Sequence, residues 1–221
     1  LSSRALRLLC QVTGNVRGGV VASCSADVDA AVDAARGAVA SGTWAKRSPS
    51  ERAAVLQNAA SLLETESKAF ALAESLDTGK PLNLARRLDV PRAVANLRFF
   101  AGLVQHGDAE SVHYGGGAGR GGGLDDALNF TTRKPLGVVG VITPWNLPLY
   151  LLTWKLAPAL AMGNCVVSKP SELTPTTATM LADLMLRAGL PAGVFNVVHG
   201  CGHKVGARLA SHPHVAAVSF T

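Results

Sequence analysis

The chain has 221 residues, 48% hydrophobic and 16% charged, a globular composition long enough for one large core or two small ones. Its net charge of +6 comes from scattered basic residues not interleaved with aromatics, which fits a solvated surface better than a nucleic-acid interface. No apolar run reaches the ~20 residues of a membrane span, and the longest, Leu147 to Met162, is interrupted by Pro148, Lys155 and Pro158.

Leu1 to Val20 carries Arg4, Arg7 and Arg17 and no acidic residue. It fits either the remnant of a transit peptide or a strand pair turning at Thr13-Gly14-Asn15, and the strand pair is preferred. Because the chain starts at Leu1 rather than Met and stops at Thr221 after an apolar run, a piece of a longer protein is expected.

Asp27 to Ala40 has Val28, Ala31, Val32, Ala35 and Val39 on one helical face. Ser48-Pro49-Ser50-Glu51 then reads as a capping box with proline at the first helical position. The helix it opens buries Leu56, Ala59 and Leu63 and is expected to run on towards Leu76. Asp77-Thr78-Gly79-Lys80-Pro81 stops it with a glycine free to take positive φ and a following proline. A further helix is expected over Val90 to Gln105, with Val94, Leu97, Phe100 and Ala101 inward. These helices read as structural, with no chemistry assigned.

Gly115 to Gly123 is glycine-rich and by composition a linker. A phosphate loop is disfavoured there, because no strand precedes it and no helix follows.

From Pro135 to Glu172 the pattern is strand, loop, helix, strand, loop. Gly137 to Thr143 is β-branched and bounded by Gly and Pro, as a buried parallel strand is. Pro144 and Pro148 cannot donate to a ladder and end it. Leu149 to Met162 is apolar almost all round, so its helix is expected to be buried. Gly163-Asn164 closes that helix, and Cys165 to Ser168 is the second strand of a right-handed βαβ unit. Thr174-Pro175 caps a helix to Arg187, Val194 to Val198 is a strand, and a helix from the GCGHKVG run to about Ser211 precedes a strand at Val215 to Phe220. This alternation predicts an α/β fold with a doubly wound, mostly parallel sheet.

Ligands of such sheets sit outside the carboxyl ends of the strands, which here carry Thr143-Pro144-Trp145-Asn146 and Lys169-Pro170-Ser171-Glu172. A carboxamide just past a strand end, as at Asn146, can donate to a developing oxyanion, although asparagine between prolines is also an ordinary turn residue. Lys169 and Glu172 read either as solvated charges or as the acid that dinucleotide folds place against a ribose, with a lysine beside it. The GCGHKVG run is a weak signal, since its spacing departs from G-x-G-x-x-G. Cys10, Cys24, Cys165 and Cys201 are widely spaced without a C-x-x-C, so neither a disulfide framework nor a metal site is expected. His199 and His203 are separated by glycines and are not expected to ligate together.

The run ITPWNLPLYLLTWKLAPALAMGNCVVSKPSELTP resembles the aldehyde dehydrogenase superfamily, and the resemblance extends from about Asp27 to Thr221. With LDVPRAVANLRFFA upstream, it is most similar to the branch acting on 2-aminomuconic and 2-hydroxymuconic semialdehydes. The resemblance implies NAD as cofactor and an aldehyde as substrate. It implies an oxyanion contact for Asn146, a cofactor cleft lined by Thr143, Pro144 and Trp145, and ribose contacts from Lys169 and Glu172. Ser171, Gly202 and His203 are implied as further neighbours of the cofactor. Domains are expected at 1–110 (N-terminal segment and helices), 111–134 (a glycine-rich antiparallel arm for homo-oligomer contacts, with Ala127 to Lys134 as a strand) and 135–221 (dinucleotide-binding units). A dimer or tetramer in the cytoplasm is implied for the complete protein. The family's nucleophilic cysteine and general-base glutamate are expected beyond Thr221, with the catalytic domain. The rival expectation is a truncated, non-catalytic module that keeps part of the cofactor site and the subunit-contact arm.

Overall fold

A computed structural model describes residues 5–9, 16–106, 113–114, 128–129 and 132–221. The chain opens with β1 (Ala5–Leu9) paired antiparallel to β2 (Val16–Val21), the expected strand pair. The Thr13-Gly14-Asn15 turn and the glycine-rich arm tip fall outside the described residues.

Helix α1 (Ser25–Ser41) buries Val28, Val32, Ala35 and Ala38. Helix α2 (Pro49–Thr65) starts at the expected capping box: Ser48 Oγ accepts from Glu51 N at 3.2 Å, and Glu51 Oε2 accepts from Ser48 N at 2.7 Å. Such a cap contributes about 1 kcal/mol. Helical character continues past Leu76 as expected, in two helices rather than one. The helix breaks at Glu66, and α3 (Ser67–Thr78) sets off separately, ending at Gly79 with φ 75°. A short helical turn, α4 (Leu82–Leu84), and a π-helical turn (Ala85–Asp89) lead into α5 (Val90–His106). The π-turn shifts the backbone by one residue and turns Asp89 inward, where it is 1% exposed.

The strands β3 (His113–Tyr114) and β4 (Leu128–Asn129) pair antiparallel. The strand expected over Ala127 to Lys134 is shorter than that, since Thr132–Lys134 lie outside any strand.

Strand β5 (Val138–Ile142), helix α6 (Pro148–Ala161) and strand β6 (Cys165–Lys169) form the expected unit, with β5 and β6 parallel in the register Val138↔Cys165 to Ile142↔Lys169. Helix α7 (Thr176–Arg187) leads to β7 (Phe195–Val197). The helix expected from GCGHKVG to about Ser211 begins as a π-helical turn (Gly202–Gly206) and continues as the short α8 (Ala207–Ala210), before β8 (Ala217–Phe220). The strand order is β7-β6-β5-β8, all parallel. Strands β5, β6 and β7 step outward one way, and β8 returns to the other side of β5. The sheet therefore reverses its winding beside β5, and such a reversal leaves a crevice at the carboxyl ends.

Helices cover both faces. Lys155 of α6 donates to Ser219 Oγ at 3.2 Å, whereas a Cβ at Gly140 would meet Leu209 of α8 and Val218. Successive side chains of a strand point to opposite faces, so Val218 and Ser219 place α8 and α6 on opposite sides. Leu149, Leu152, Leu156 and Leu160 of α6 are all buried. Trp44, fully buried, ties the segment after α1 to that helix by donating to Leu160 O at 2.9 Å.

Candidate active site

Strands β5 and β6 deliver two loops to one place. Just beyond their ends, Thr143 N donates to Lys169 O at 3.3 Å, which holds the loop exits side by side. Thr143 and Lys169 are both buried, and Pro144 is half-buried. Trp145 is 55% exposed, and the Asn146 carboxamide is exposed beside it. Pro148 occupies the first turn of α6, where its missing N–H costs nothing.

In the β6 loop, Lys169 Nζ donates to Glu172 Oε2 at 2.7 Å. The lysine side chain is 4% exposed and the glutamate 35%, so the cation is covered while the carboxylate faces out. Burial acts to raise the Glu172 carboxyl, but the bond from Lys169 and backbone N–H groups, that of Gly202 among them, outweigh it and hold it below the ordinary glutamate range. Gly202 is thereby brought to the pair, with nothing within 4 Å of where its Cβ would be. His203 stands exposed on the same π-helical turn. Ser171 Oγ accepts from Leu173 N at 3.3 Å and shapes the turn between Glu172 and α7.

His199, just beyond β7, is weighed in the sequence only as a ligand and given no place at the site. Its Nε2 lies 3.0 Å from Thr179 Oγ1, and burial followed by the nearby Lys169 charge holds the imidazole below its ordinary range, hence neutral. Among the described residues, the buried Thr143 Oγ1, Ser168 Oγ and His199 Nδ1 have no hydrogen-bond partner. Unpaired polar atoms of this kind gather where the two strands end.

The helices regarded as purely structural also reach the site, which corrects that expectation. Lys80 Nζ donates to Asn146 O at 3.1 Å and to Asp89 Oδ2 at 2.8 Å, and lies 4.0 Å from Glu74 Oε1. Glu74, fully buried, accepts from Leu149 N at 3.3 Å and from Thr177 Oγ1 at 2.9 Å. Burial pushes the Glu74 carboxyl up to about 7, against the Lys80 charge and the two hydrogen bonds, which pull it down. The signal for these residues is in the sequence of α3. Glu74 and Asp77 share its inner face with Phe70 and Ala71, and acids on an apolar face require partners.

None of the described cysteines resembles an activated nucleophile. Cys165 is buried on β6, and burial pushes its thiol up to about 11. Cys201 lies between the glycines of the π-turn region, and Cys24 precedes α1. Among the described residues no group of acidic, histidine and cysteine side chains is placed to hold a metal ion, and no helix is long and apolar enough to cross a membrane.

The chain is similar over nearly its whole length to known proteins. It is 50% identical to human (Homo sapiens) 2-aminomuconic semialdehyde dehydrogenase over 212 residues, which are 95% of this chain and 41% of that protein. It is 47% identical over 221 residues to 2-hydroxymuconic semialdehyde dehydrogenase of Pseudomonas sp. (strain CF600), covering 100% of this chain and 44% of that one. The chain thus spans less than half the length of the curated relatives it matches. Among solved structures, a P. syringae indole-3-acetaldehyde dehydrogenase mutant in complex with NAD+ and IAA superposes with a TM-score of 0.90 at 39% identity, over 98% of this chain and 42% of that one. The family profile described as "Aldehyde dehydrogenase family" matches residues 2–221, and the chain belongs to that family.

Proposed function

We propose that this chain is the cofactor-binding and oxyanion-holding part of an NAD-dependent aldehyde dehydrogenase, which oxidises a semialdehyde such as 2-aminomuconic semialdehyde to its carboxylic acid through a cysteine thioester. The observation that carries the proposal is that Asn146 and the Lys169–Glu172 pair lie on the loops leaving the adjacent strands β5 and β6, whose exits are joined by the Thr143–Lys169 backbone bond.

The residues fit the adenosine half of a dinucleotide. Glu172 keeps its charge and is 35% exposed, so it offers acceptor oxygens to ribose hydroxyls, while Lys169 secures its orientation from below. The unpaired Thr143 Oγ1 leaves a polar group at the entrance between the strands. NAD, when bound, supplies the hydride acceptor that this oxidation requires. Thr143, Pro144 and Trp145 line its cleft, with Gly202, His203 and Ser171 along its border.

Attack of a thiolate on an aldehyde converts the carbonyl oxygen to an alkoxide. Asn146 donates a carboxamide N–H to that oxygen, stabilising charge that is absent from the ground state. The thiolate is assigned to a part of the complete enzyme outside this chain, which spans less than half the length of its curated relatives; among the described cysteines, burial keeps Cys165 protonated at neutral pH and neither Cys24 nor Cys201 belongs to the Asn146 loop. Loss of the former aldehyde hydrogen from that alkoxide as hydride, which NAD would accept, leaves a thioester, and its hydrolysis needs a base that activates water, also assigned to that part. The antiparallel pair β3–β4, separate from the main sheet, supports a subunit-contact arm in a cytoplasmic homo-oligomer.

The test is NAD reduction with 2-aminomuconic or 2-hydroxymuconic semialdehyde. The complete enzyme reduces NAD and releases acid, and the 221-residue chain alone stays at background. Iodoacetamide-sensitive turnover by the chain alone would overturn the assignment of the thiolate. A complete enzyme inert towards aldehydes would overturn the function.

A further inference from the structure

The Asn146 carboxamide is exposed and has no hydrogen-bond partner among the described residues, so its position depends on the main chain that carries it. That main chain lies between Pro144 and Pro148, neither of which has an N–H to anchor it. Its anchors come instead from α3 and the residues directly after it. Lys80, 66 residues away in sequence, donates to the Asn146 carbonyl at 3.1 Å. Glu74 accepts from the Leu149 amide at 3.3 Å, so a cation and an acid from one segment grip the loop at two successive points.

Lys80 is itself closely held. Its side chain is 12% exposed, and the 1% exposed Asp89 accepts from Nζ at 2.8 Å. Ser75 Oγ donates to Lys80 O at 2.7 Å, directly after the left-handed Gly79 that turns the chain towards the site. A covered ammonium with a carboxylate on one side directs its remaining N–H at a neutral acceptor, and here that acceptor is the peptide following Asn146. Holding that carbonyl fixes the main chain from which the Asn146 side chain departs, and so the reach of its carboxamide.

We propose that Lys80, oriented by Asp89, is a positioning residue for the oxidation, aiming the Asn146 carboxamide at the oxyanion by holding the Asn146 carbonyl. The inference rests on the oxyanion role given to Asn146 under the proposed function. In this role Lys80 acts through Asn146 alone. An ion pair serving the fold alone would show no link to that residue.

The test uses the complete enzyme and a double-mutant cycle between Lys80→Met and Asn146→Ala, with Asp89→Asn as a variant that keeps the shape and an acceptor oxygen at the site. Misaiming by about 1 Å costs on the order of 10²-fold in rate, so Lys80→Met lowers kcat by roughly 10–10²-fold, and Asp89→Asn lowers it less. The dissociation constant for NAD is unchanged in both. In the Asn146→Ala background, each substitution has little further effect, because the group it aims is gone. Normal kcat in both Lys80→Met and Asp89→Asn overturns the inference, as does a loss that repeats in full without the Asn146 carboxamide. Should Lys80→Met not fold, the same two outcomes are read from Asp89→Asn. Normal kcat in Asn146→Ala itself overturns the underlying reading of the site instead.

Discussion

The carboxylate of Asp77 at the end of α3 accepts two hydrogen bonds from Thr176 at the start of α7, from the backbone N–H at 2.9 Å and from Oγ1 at 2.9 Å. The residues are 99 positions apart, and the bond pair caps a helix with an acid from another helix. A negative charge at a helix N-terminus is stabilised by the unpaired N–H groups there. Thr174, the cap expected from sequence, is instead buried with its Oγ1 unpaired among the described residues. Because α7 follows directly on the Lys169–Glu172 loop, Asp77 also fixes where that loop ends.

Asp77→Ala is therefore expected to destabilise the protein by about 1–2 kcal/mol, the upper range for loss of a cap. Asp77→Asn, which keeps an acceptor for the Thr176 amide, loses less. Urea denaturation midpoints check the order. Equal stability of Asp77→Ala and the unmutated protein would mean that the α7 terminus is satisfied by other groups.

Glu74 gives a pH dependence whose sign follows from its raised pKa. The ordinary glutamate value is 4.5, and burial pushes the folded-state value up to about 7. Between those values the folded state keeps a proton that the unfolded state has released, so raising the pH favours unfolding. The stabilisation is fully present below the unfolded value and is lost as pH rises through the folded one. Glu74→Gln removes this dependence, while its carboxamide can accept from Leu149 N–H and donate to Thr177 Oγ1. The mutant should thus gain on the unmutated protein from about pH 5 to about pH 8. Melting curves at both ends of that range test this, and a constant difference between the two proteins would show that Glu74 titrates normally.

Glu172 should set the cofactor preference. Its carboxylate accepts from ribose hydroxyls and repels a 2′-phosphate, in a loop where solvent screening is reduced. The buried Lys169 ammonium, already bonded to Glu172 at 2.7 Å, offsets part of that repulsion. In the complete enzyme Glu172→Gln is expected to lower the ratio of kcat/KM for NAD over NADP by about tenfold, mostly through KM, the scale of one hydrogen bond to a charged group. A ratio untouched by the substitution would leave Glu172 a solvated charge before α7.

How far the sequence discloses this arrangement depends on the range of each interaction. The β5–α6–β6 unit is legible because Pro144, Pro148 and Gly163 punctuate it and the strands are β-branched. The Ser48 capping box and the Gly79 stop are legible because cap and capped residue lie within one turn. The break at Glu66 has no such mark, since neither glycine nor proline stands near it. Thr174 misleads as a cap because Asp77 comes from a distant helix, and the Lys80–Asn146 bond is hidden by the same separation. Local chemistry thus gives the two loops of the site, but not the helix contacts that support one of them from below.

The central claim is that Asn146 stabilises an oxyanion, and it is most directly tested by steady-state kinetics of Asn146→Ala in the complete enzyme, alongside thermal melts and NAD titration. Its carboxamide is exposed and carries no hydrogen bond among the described residues, so truncation should leave folding stability nearly unchanged. The account predicts that kcat falls by about 10²–10³-fold, the cost of one oxyanion donor, with NAD affinity nearly unaltered. A folded Asn146→Ala enzyme with normal kcat would contradict it.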